Sequence, residues 1–183
     1  MRPARGEAAD VVLRAPAPGE VDDLRAIDVA ARVRYRDAGG PLAFVADKPA
    51  IAAERFARGE TLVAEIDGRP VGHVLLEPLD GLLYVSSIAV APEAGGRGVG
   101  PALMRAAEAR AVALGLAGTS LATFREPPWN GPWFRRLGYA PIPQARIGPG
   151  LAAILAGHAR FLDMSTRETL WKPRAPAAAG DAA

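Results

Sequence analysis

Apolar positions along the chain alternate between two spacings, and the changes of spacing mark its elements. Val11 to Arg14 predicts a short strand, and Pro16 to Gly19 breaks it. After Pro18-Gly19-Glu20, the residues Val21, Leu24, Ile27, Ala31 and Tyr35 recur at helical spacing, which predicts a helix to about Asp37. Glu20, Asp22 and Asp23 fall in its first turn, where negative charge complements the helix dipole. Gly39-Gly40-Pro41 ends it, and Pro49 to Arg58 predicts a second, shorter helix closed by Gly59. Thr61–Ile66 and Pro70–Leu76 flank Asp67-Gly68, a pair suited to positive φ, and predict a tight hairpin. Leu79-Asp80-Gly81 turns the chain again into Leu82–Val90, completing an antiparallel meander.

The next connection is of another kind. Pro101–Leu114 predicts a helix with Leu103, Ala107, Ala111 and Leu114 on one face and Gly115 as its C-cap. Thr119–Phe124 is then a strand reached through a helix crossover, so it should run parallel to Leu82–Val90. Asn130-Gly131-Pro132 caps and opens a helix carrying Trp133, Phe134 and Leu137. Tyr139–Ile142 predicts a strand, Pro149–Ala159 a helix and Thr166–Lys172 a last strand. Residues 10–173 read as a single domain, with residues 1–9 and 174–183 as flexible termini.

Composition narrows the classes. With 183 residues, half of them apolar, the chain is long enough for one domain with a full core. The absence of cysteine excludes disulfides, a thiolate metal site and a cysteine nucleophile. No apolar run is long enough to span a membrane and the start lacks an apolar signal core, so a soluble cytoplasmic protein is expected. A net charge of +2 gives no support for nucleic-acid binding.

The candidate chemistry sits where the meander gives way to the crossover. An apolar strand ending in Ile88-Ala89-Val90 runs through Ala91-Pro92 into Gly95, Gly96, Arg97, Gly98, Val99 and Gly100, and a helix follows. A glycine loop at a helix start presents backbone N–H groups to an anion, and the helix dipole adds about half a positive charge. A P-loop would continue Gly-Lys-Ser/Thr, but Gly100 is followed by Pro101 and Ala102. The dinucleotide fingerprint also fails, since its last glycine would fall at Pro101 and the strand before it closes a meander.

What the stretch resembles is motif A of the GCN5-related N-acetyltransferase (GNAT) superfamily: an apolar strand, V-x-P, then [Q/R]-x-x-G-x-[G/A] and a helix. Here that reads Val90-Ala91-Pro92, then Gly95 to Gly100, then Pro101 onward. Trp133-Phe134-Arg135-Arg136-Leu137-Gly138-Tyr139 is similar to a later element of the family, and Pro128-Trp129-Asn130 resembles a bacterial subgroup with a P-W-N-x-P pattern. The resemblance covers roughly residues 10 to 173. It implies an α+β GNAT fold: a mixed, twisted sheet of about six to seven strands, helices on both faces, and a splayed strand pair over the acyl-CoA site. It also implies acetyl-CoA as co-substrate without a metal, and a small-molecule amine acceptor reached by direct transfer in a ternary complex. An acyl-CoA-binding protein without turnover and acetylation of a protein or peptide amine stay open, and a homodimer is admitted. The pyrophosphate is placed on Gly95, Gly96, Arg97, Gly98, Val99, Gly100 and Pro101, and the pantetheine arm along Ile88, Ala89 and Val90. Asn130 and Phe134 complete the expected cofactor contacts.

Some positions depart from the family pattern. Gly95 stands where Gln or Arg is usual, and Arg97 is the replacement cation on offer. Pro101 lacks an N–H donor. Phe134 occupies the place of a tyrosine that protonates the leaving thiolate in many members. Ser86 and Ser87 stand where a glutamate is common, which leaves Glu77, Tyr84 and Ser87 as candidate catalytic groups, with Glu126 and His73 nearby in sequence. His73 reads as a packed histidine, His158 as a surface one, and Trp129, Trp133 and Trp171 as packing residues.

Overall fold

A computed structural model of the chain describes residues 10–175. The expectations for residues 1–9 and for 176–183 lie outside the described residues. Among the described residues the chain divides into two compact units, with boundaries at Leu76/Glu77, Ser86/Ser87 and Ala106/Ala107.

In the first unit, β1 (Val12–Arg14) pairs antiparallel with β2 (Glu60–Ile66), which pairs with β3 (Arg69–Leu79). Asp67 and Gly68 both take positive φ (51° and 73°), the geometry a two-residue hairpin needs to match strand twist. Helix α1 (Val21–Ala38) buries Leu24, Ile27, Ala31 and Tyr35, the stripe its spacing predicted. Arg14 ties the first elements together: it donates to Glu20 at 2.6 Å and 2.8 Å and to Glu65 at 2.6 Å. Its guanidinium holds the Glu20 carboxyl below the usual carboxylate range.

The predicted helix Pro49–Arg58 is not formed. Gly40–Asp47 and Ala53–Ala57 are 3-10 turns, and the cap residues between them, Lys48 and Ala52, are extended. Within Ala53–Ala57, only Phe56 is buried, so a regular helix would gain no apolar stripe. The backbone groups of this segment are taken by side chains of α1 instead. Arg25 Nε donates to the Ile51 carbonyl at 2.8 Å, Arg32 Nη1 to the Lys48 carbonyl at 2.9 Å, and the Asp28 carboxylate accepts from the Ile51 amide.

Strand β3 passes close to β4 (Leu82–Val90) at Gly72. A Cβ there would lie 2.9 Å from the Ala89 carbonyl oxygen and 3.1 Å from Val99 Cγ1. Gly72→Ala should therefore lower the stability of the protein by about 1–3 kcal/mol, the usual effect of overpacking, as read in urea unfolding.

In the second unit, Asp80 and Gly81 turn the chain with φ of 51° and 77°. Strand β5 (Gly118–Phe124) is parallel to β4 in register Leu83↔Thr119 to Val85↔Leu121, as the crossover requires. β7 (Arg167–Pro173) lies antiparallel to β5 along its whole length, and β6 (Ala140–Pro141) pairs with the other edge of β7. The seven strands follow the order β1-β2-β3-β4-β5-β7-β6, a mixed α+β sheet. β6 is shorter than the Tyr139–Ile142 predicted because Pro141 and Pro143 cannot donate to a ladder. Helix α2 (Val99–Ala113) buries Val99, Leu103, Met104, Ala107 and Ala111. Leu114 does not join that face; it lies beyond the helix end and is 40% exposed. Helices α3 (Gly131–Arg136) and α4 (Pro149–Ala159) follow. The start of α4 is capped by Asp80, whose carboxylate accepts the Gly150 and Leu151 amides at 3.1 Å and 2.7 Å.

Candidate functional site

The stretch from Ile88 to Pro101 belongs wholly to the first unit. Ala91 N–H donates to the Val71 carbonyl at 2.8 Å, so β4 is held to β3 up to the loop. A 3-10 turn follows at Pro92–Ala94. Its hydrogen bonds, Ala94 N to Ala91 O (2.9 Å) and Gly95 N to Pro92 O (3.1 Å), set the direction of the glycines. A Cβ at Gly95 would stand 3.0 Å from the Pro92 carbonyl, so a larger residue there would require the turn to give slightly.

Gly96 (φ 76°) and Gly98 (φ 83°) occupy the left-handed region that penalises side chains. Buried Ala94 and Val99, each 1% exposed, anchor the loop on either side, while Gly95, Gly96, Arg97 and Gly98 form an exposed rim. Among the described residues, the amides of Gly96 and Gly98 find no acceptor. The fifteen-residue α2 begins at Val99, so the unpaired N–H groups of its first turn point the same way. Pro101 removes one of those donors and leaves Val99 and Gly100 to supply them. Free amides, a dipole end and the exposed Arg97 together make a cradle for a phosphate or pyrophosphate. Before the loop, Ile88 and Val90 are half-buried and Ala89 is buried.

Ser87 is half-buried and adjoins Ile88 on β4. Tyr84 is 4% exposed, four residues earlier on the same strand, so it shares a strand face with Ile88. Glu77 is half-buried near the end of β3, and Glu126 is exposed after β5. Asn130 does not cap α3 with its side chain; Nδ2 donates to the buried Thr123 hydroxyl at 3.0 Å instead. Phe134 is buried in an aromatic cluster, 4.7 Å from Trp133 and 5.8 Å from Tyr139, both edge-to-face. Tyr139 bonds Thr119 Oγ1 at 2.7 Å, and burial pushes its hydroxyl well above the ordinary tyrosine range. It stays protonated and belongs to the packing of β5.

His73 is the most unusual group of the first unit. It is fully buried, its ring lies 5.3 Å from Phe56, and neither ring nitrogen has a partner among the described residues. Burial pushes its pKa down to about 4, so the ring is neutral at neutral pH. His158 is half-buried in α4 rather than on the surface. Among the described residues, no three His, Asp or Glu side chains are grouped to hold a metal ion, and no helix is long and apolar enough to cross a membrane. Sequence reasoning missed the cap at Asp80 and the buried Asp28. Desolvation raises the Asp28 carboxyl although Arg32 lies 3.1 Å away.

The model of the acetyltransferase (GNAT) family matches residues 27–139, more than half of the chain. The chain belongs to the GNAT acetyltransferase family. The match includes β2 to β5 and the whole glycine loop. Among solved GNAT structures, the chain is similar to a GCN5-related N-acetyltransferase from Rhodopseudomonas palustris, at 26% identity over 72% of this chain and 82% of that one, with a TM-score of 0.60. A GNAT family acetyltransferase from Brucella melitensis, solved in complex with acetyl-CoA, is 25% identical over 72% of this chain and 84% of that one, with a TM-score of 0.52. The PaiA N-acetyltransferase of Thermoplasma acidophilum, solved with coenzyme A, shares the fold at 12% identity, covering 90% and 99%, with a TM-score of 0.67. The family match spans Gly95–Pro101, the loop whose exposed glycines precede α2.

Proposed function

We propose that this protein is an acetyl-CoA-dependent N-acetyltransferase that acetylates a primary amine of a small molecule by direct transfer in a ternary complex. The observation that carries the proposal is the exposed glycine rim at the start of α2, where the Gly96 and Gly98 amides have no acceptor among the described residues. Bound acetyl-CoA would supply an activated acetyl group. Gly95, Gly96, Arg97, Gly98, Val99, Gly100 and Pro101 would hold its pyrophosphate. Ile88, Ala89 and Val90 would line the pantetheine arm, and a β4 amide there would polarise the thioester carbonyl. Asn130 and Phe134 are assigned to the cofactor as well. Residues 10–173 act as one acetyltransferase domain, a reading supported by β3, β4 and α2, each of which continues from one unit into the other.

Proton handling is assigned to Glu77, Tyr84 and Ser87. Phe134 cannot donate a proton, and a thiol pKa near ~8.5 lets thiolate leave without an acid at that position. Incubation with acetyl-CoA and a panel of small amines, amino acids and peptides should release CoA thiol with at least one acceptor, and the product should gain one acetyl group by mass. Acetyl-CoA binding without thiol release from any amine would overturn turnover. That outcome would leave the second reading, an acyl-CoA-binding protein, which Phe134 favours.

A further inference from the structure

Strand β5 is fastened unevenly on its two edges. Along β7 its register runs unbroken from Gly118↔Pro173 to Phe124↔Arg167, whereas its parallel pairing with β4 stops at Val85↔Leu121. In an antiparallel ladder the N–H and C=O of one residue leave on the same edge, and those of the next residue leave on the other. The Arg125 amide donates to the Thr166 carbonyl at 2.8 Å. Thr123 and Leu121 therefore face β7, and Ala122 faces the β4 side. Carried one rung further, the parallel register would pair Ser86 with Ala122 and place the next β4 amide on the Ala122 carbonyl. That carbonyl is already taken. Arg167, opposite Phe124, lays its guanidinium over the Phe124 ring, with Cζ 4.6 Å from the centroid, and Nη2 donates to the Ala122 carbonyl at 3.0 Å. The Arg125 guanidinium holds Arg167 in turn, donating to its backbone carbonyl at 2.8 Å. Ala122 is the one residue of β5 that is not buried. Arginine suits this place, because its planar, permanently charged fork can stack on an aromatic face while donating to an oxygen beyond it.

We propose that Arg167 is a positioning residue for acetyl transfer: by occupying the Ala122 carbonyl it ends the β4–β5 ladder at Val85↔Leu121 and keeps the next β4 amide clear of β5. The inference rests on the acetyltransferase reading, in which a β4 amide polarises the thioester carbonyl. An amide already bonded to a neighbouring strand is not available for that task. Backbone acceptors on a strand edge draw in whatever donor lies within reach. A guanidinium on the Ala122 carbonyl satisfies the acceptor without using a β4 donor, so the strands part at a fixed rung. Arg167 acts through the β5 backbone, and proton handling stays with the residues assigned to it above.

Amide hydrogen exchange, read by NMR on the unliganded full chain, tests the end of the ladder without any reaction. In Arg167→Leu the Ala122 carbonyl should capture the Ser87 amide, which should then exchange at least about tenfold more slowly than in the wild type. Arg167→Gln, too short to cross Phe124, should do the same. Arg167→Lys, which keeps a donor of similar reach, should keep the wild-type rate. A Ser87 amide that exchanges as fast in both Arg167→Leu and Arg167→Gln as in the wild type overturns the proposal. Turnover supplies the second arm. With an amine that the wild type acetylates, Arg167→Leu should lower kcat about tenfold or more while the KM for acetyl-CoA changes little, because the glycine loop still holds the pyrophosphate. Arg167→Lys should recover most of that loss. A raised KM at unchanged kcat, or an equal loss in Arg167→Lys, counts against the role in transfer. A wild type that releases thiol with no amine overturns the acetyltransferase reading and the role in transfer with it. Slowed exchange in Arg167→Leu would still assign the end of the ladder to Arg167, so the two failures read differently.

Discussion

Gly98→Glu should abolish acetyl-CoA binding in a protein that remains folded. Position 98 sits at φ 83°, immediately before α2, with no atom within 4 Å of where a Cβ would point. The substitution therefore acts in two ways. A side chain in this backbone region costs about 1–2 kcal/mol. A carboxylate on the rim places negative charge where the pyrophosphate should sit, and like-charge juxtaposition costs several kcal/mol. The backbone cost falls on the free and the bound protein alike and lowers stability, whereas the charge should reduce affinity by about three orders of magnitude or more, equivalent to about 4 kcal/mol. Gly98→Ala carries the first cost without the second and should keep most of the affinity. Titration calorimetry with acetyl-CoA on both variants separates the two contributions. Undiminished binding by Gly98→Glu would remove the loop from the cofactor site.

The second large effect is on stability in mild acid. His73 is fully buried, neither ring nitrogen has a hydrogen-bond partner among the described residues, and burial lowers its pKa to about 4, against 6.5 in an unfolded chain. Between those values the unfolded state binds the extra proton, so stability falls as the pH drops from 6.5 toward 4 and is unaffected by His73 above 6.5. The shift corresponds to about 3 kcal/mol lost across the window. His73→Leu removes both the titration and two unsatisfied nitrogens. It should flatten the stability profile between pH 6.5 and 4 and leave the protein at least as stable at pH 7. Asp28, whose carboxyl is raised by burial, works in the opposite direction, because it favours the folded state as protons are added. The difference between the wild type and His73→Leu in urea unfolding at each pH thus isolates His73. Identical slopes for the two proteins would show that another group controls acid sensitivity.

Local chemistry was the most legible part of the chain. Both Asp-Gly turns, the bounds of β4 and α4, and the strand-glycine-helix order of the cradle follow from residues next to one another. What escaped sequence reading depends on distant partners. Asp80 reads as a turn residue, and nothing near it announces a helix start 70 residues later. Asn130 reads as a cap until Thr123 is folded against it. Leu114 keeps the helical spacing but falls where the helix has already ended. The 40–57 segment has enough apolar residues for helix, yet α1 places arginines where its carbonyls can be taken from the side. Catalytic proton handling was least legible of all, because Phe134 removes the residue that would have marked it.

That last segment has a kinetic consequence. A strand or helix is released only by breaking a cooperative ladder, whereas the stretch around Lys48–Ala52 is fastened to α1 by a few side-chain bonds from Arg25, Asp28 and Arg32. Each such bond contributes about 1 kcal/mol net. Its opening should therefore be uncoupled from global unfolding, and the Ile51 amide should exchange with solvent deuterium far sooner than those of β2 or β3. On that expectation the Lys48–Ala52 backbone, held on either side by the buried Val45, Ala46 and Phe56, opens and refastens many times within the lifetime of the folded protein.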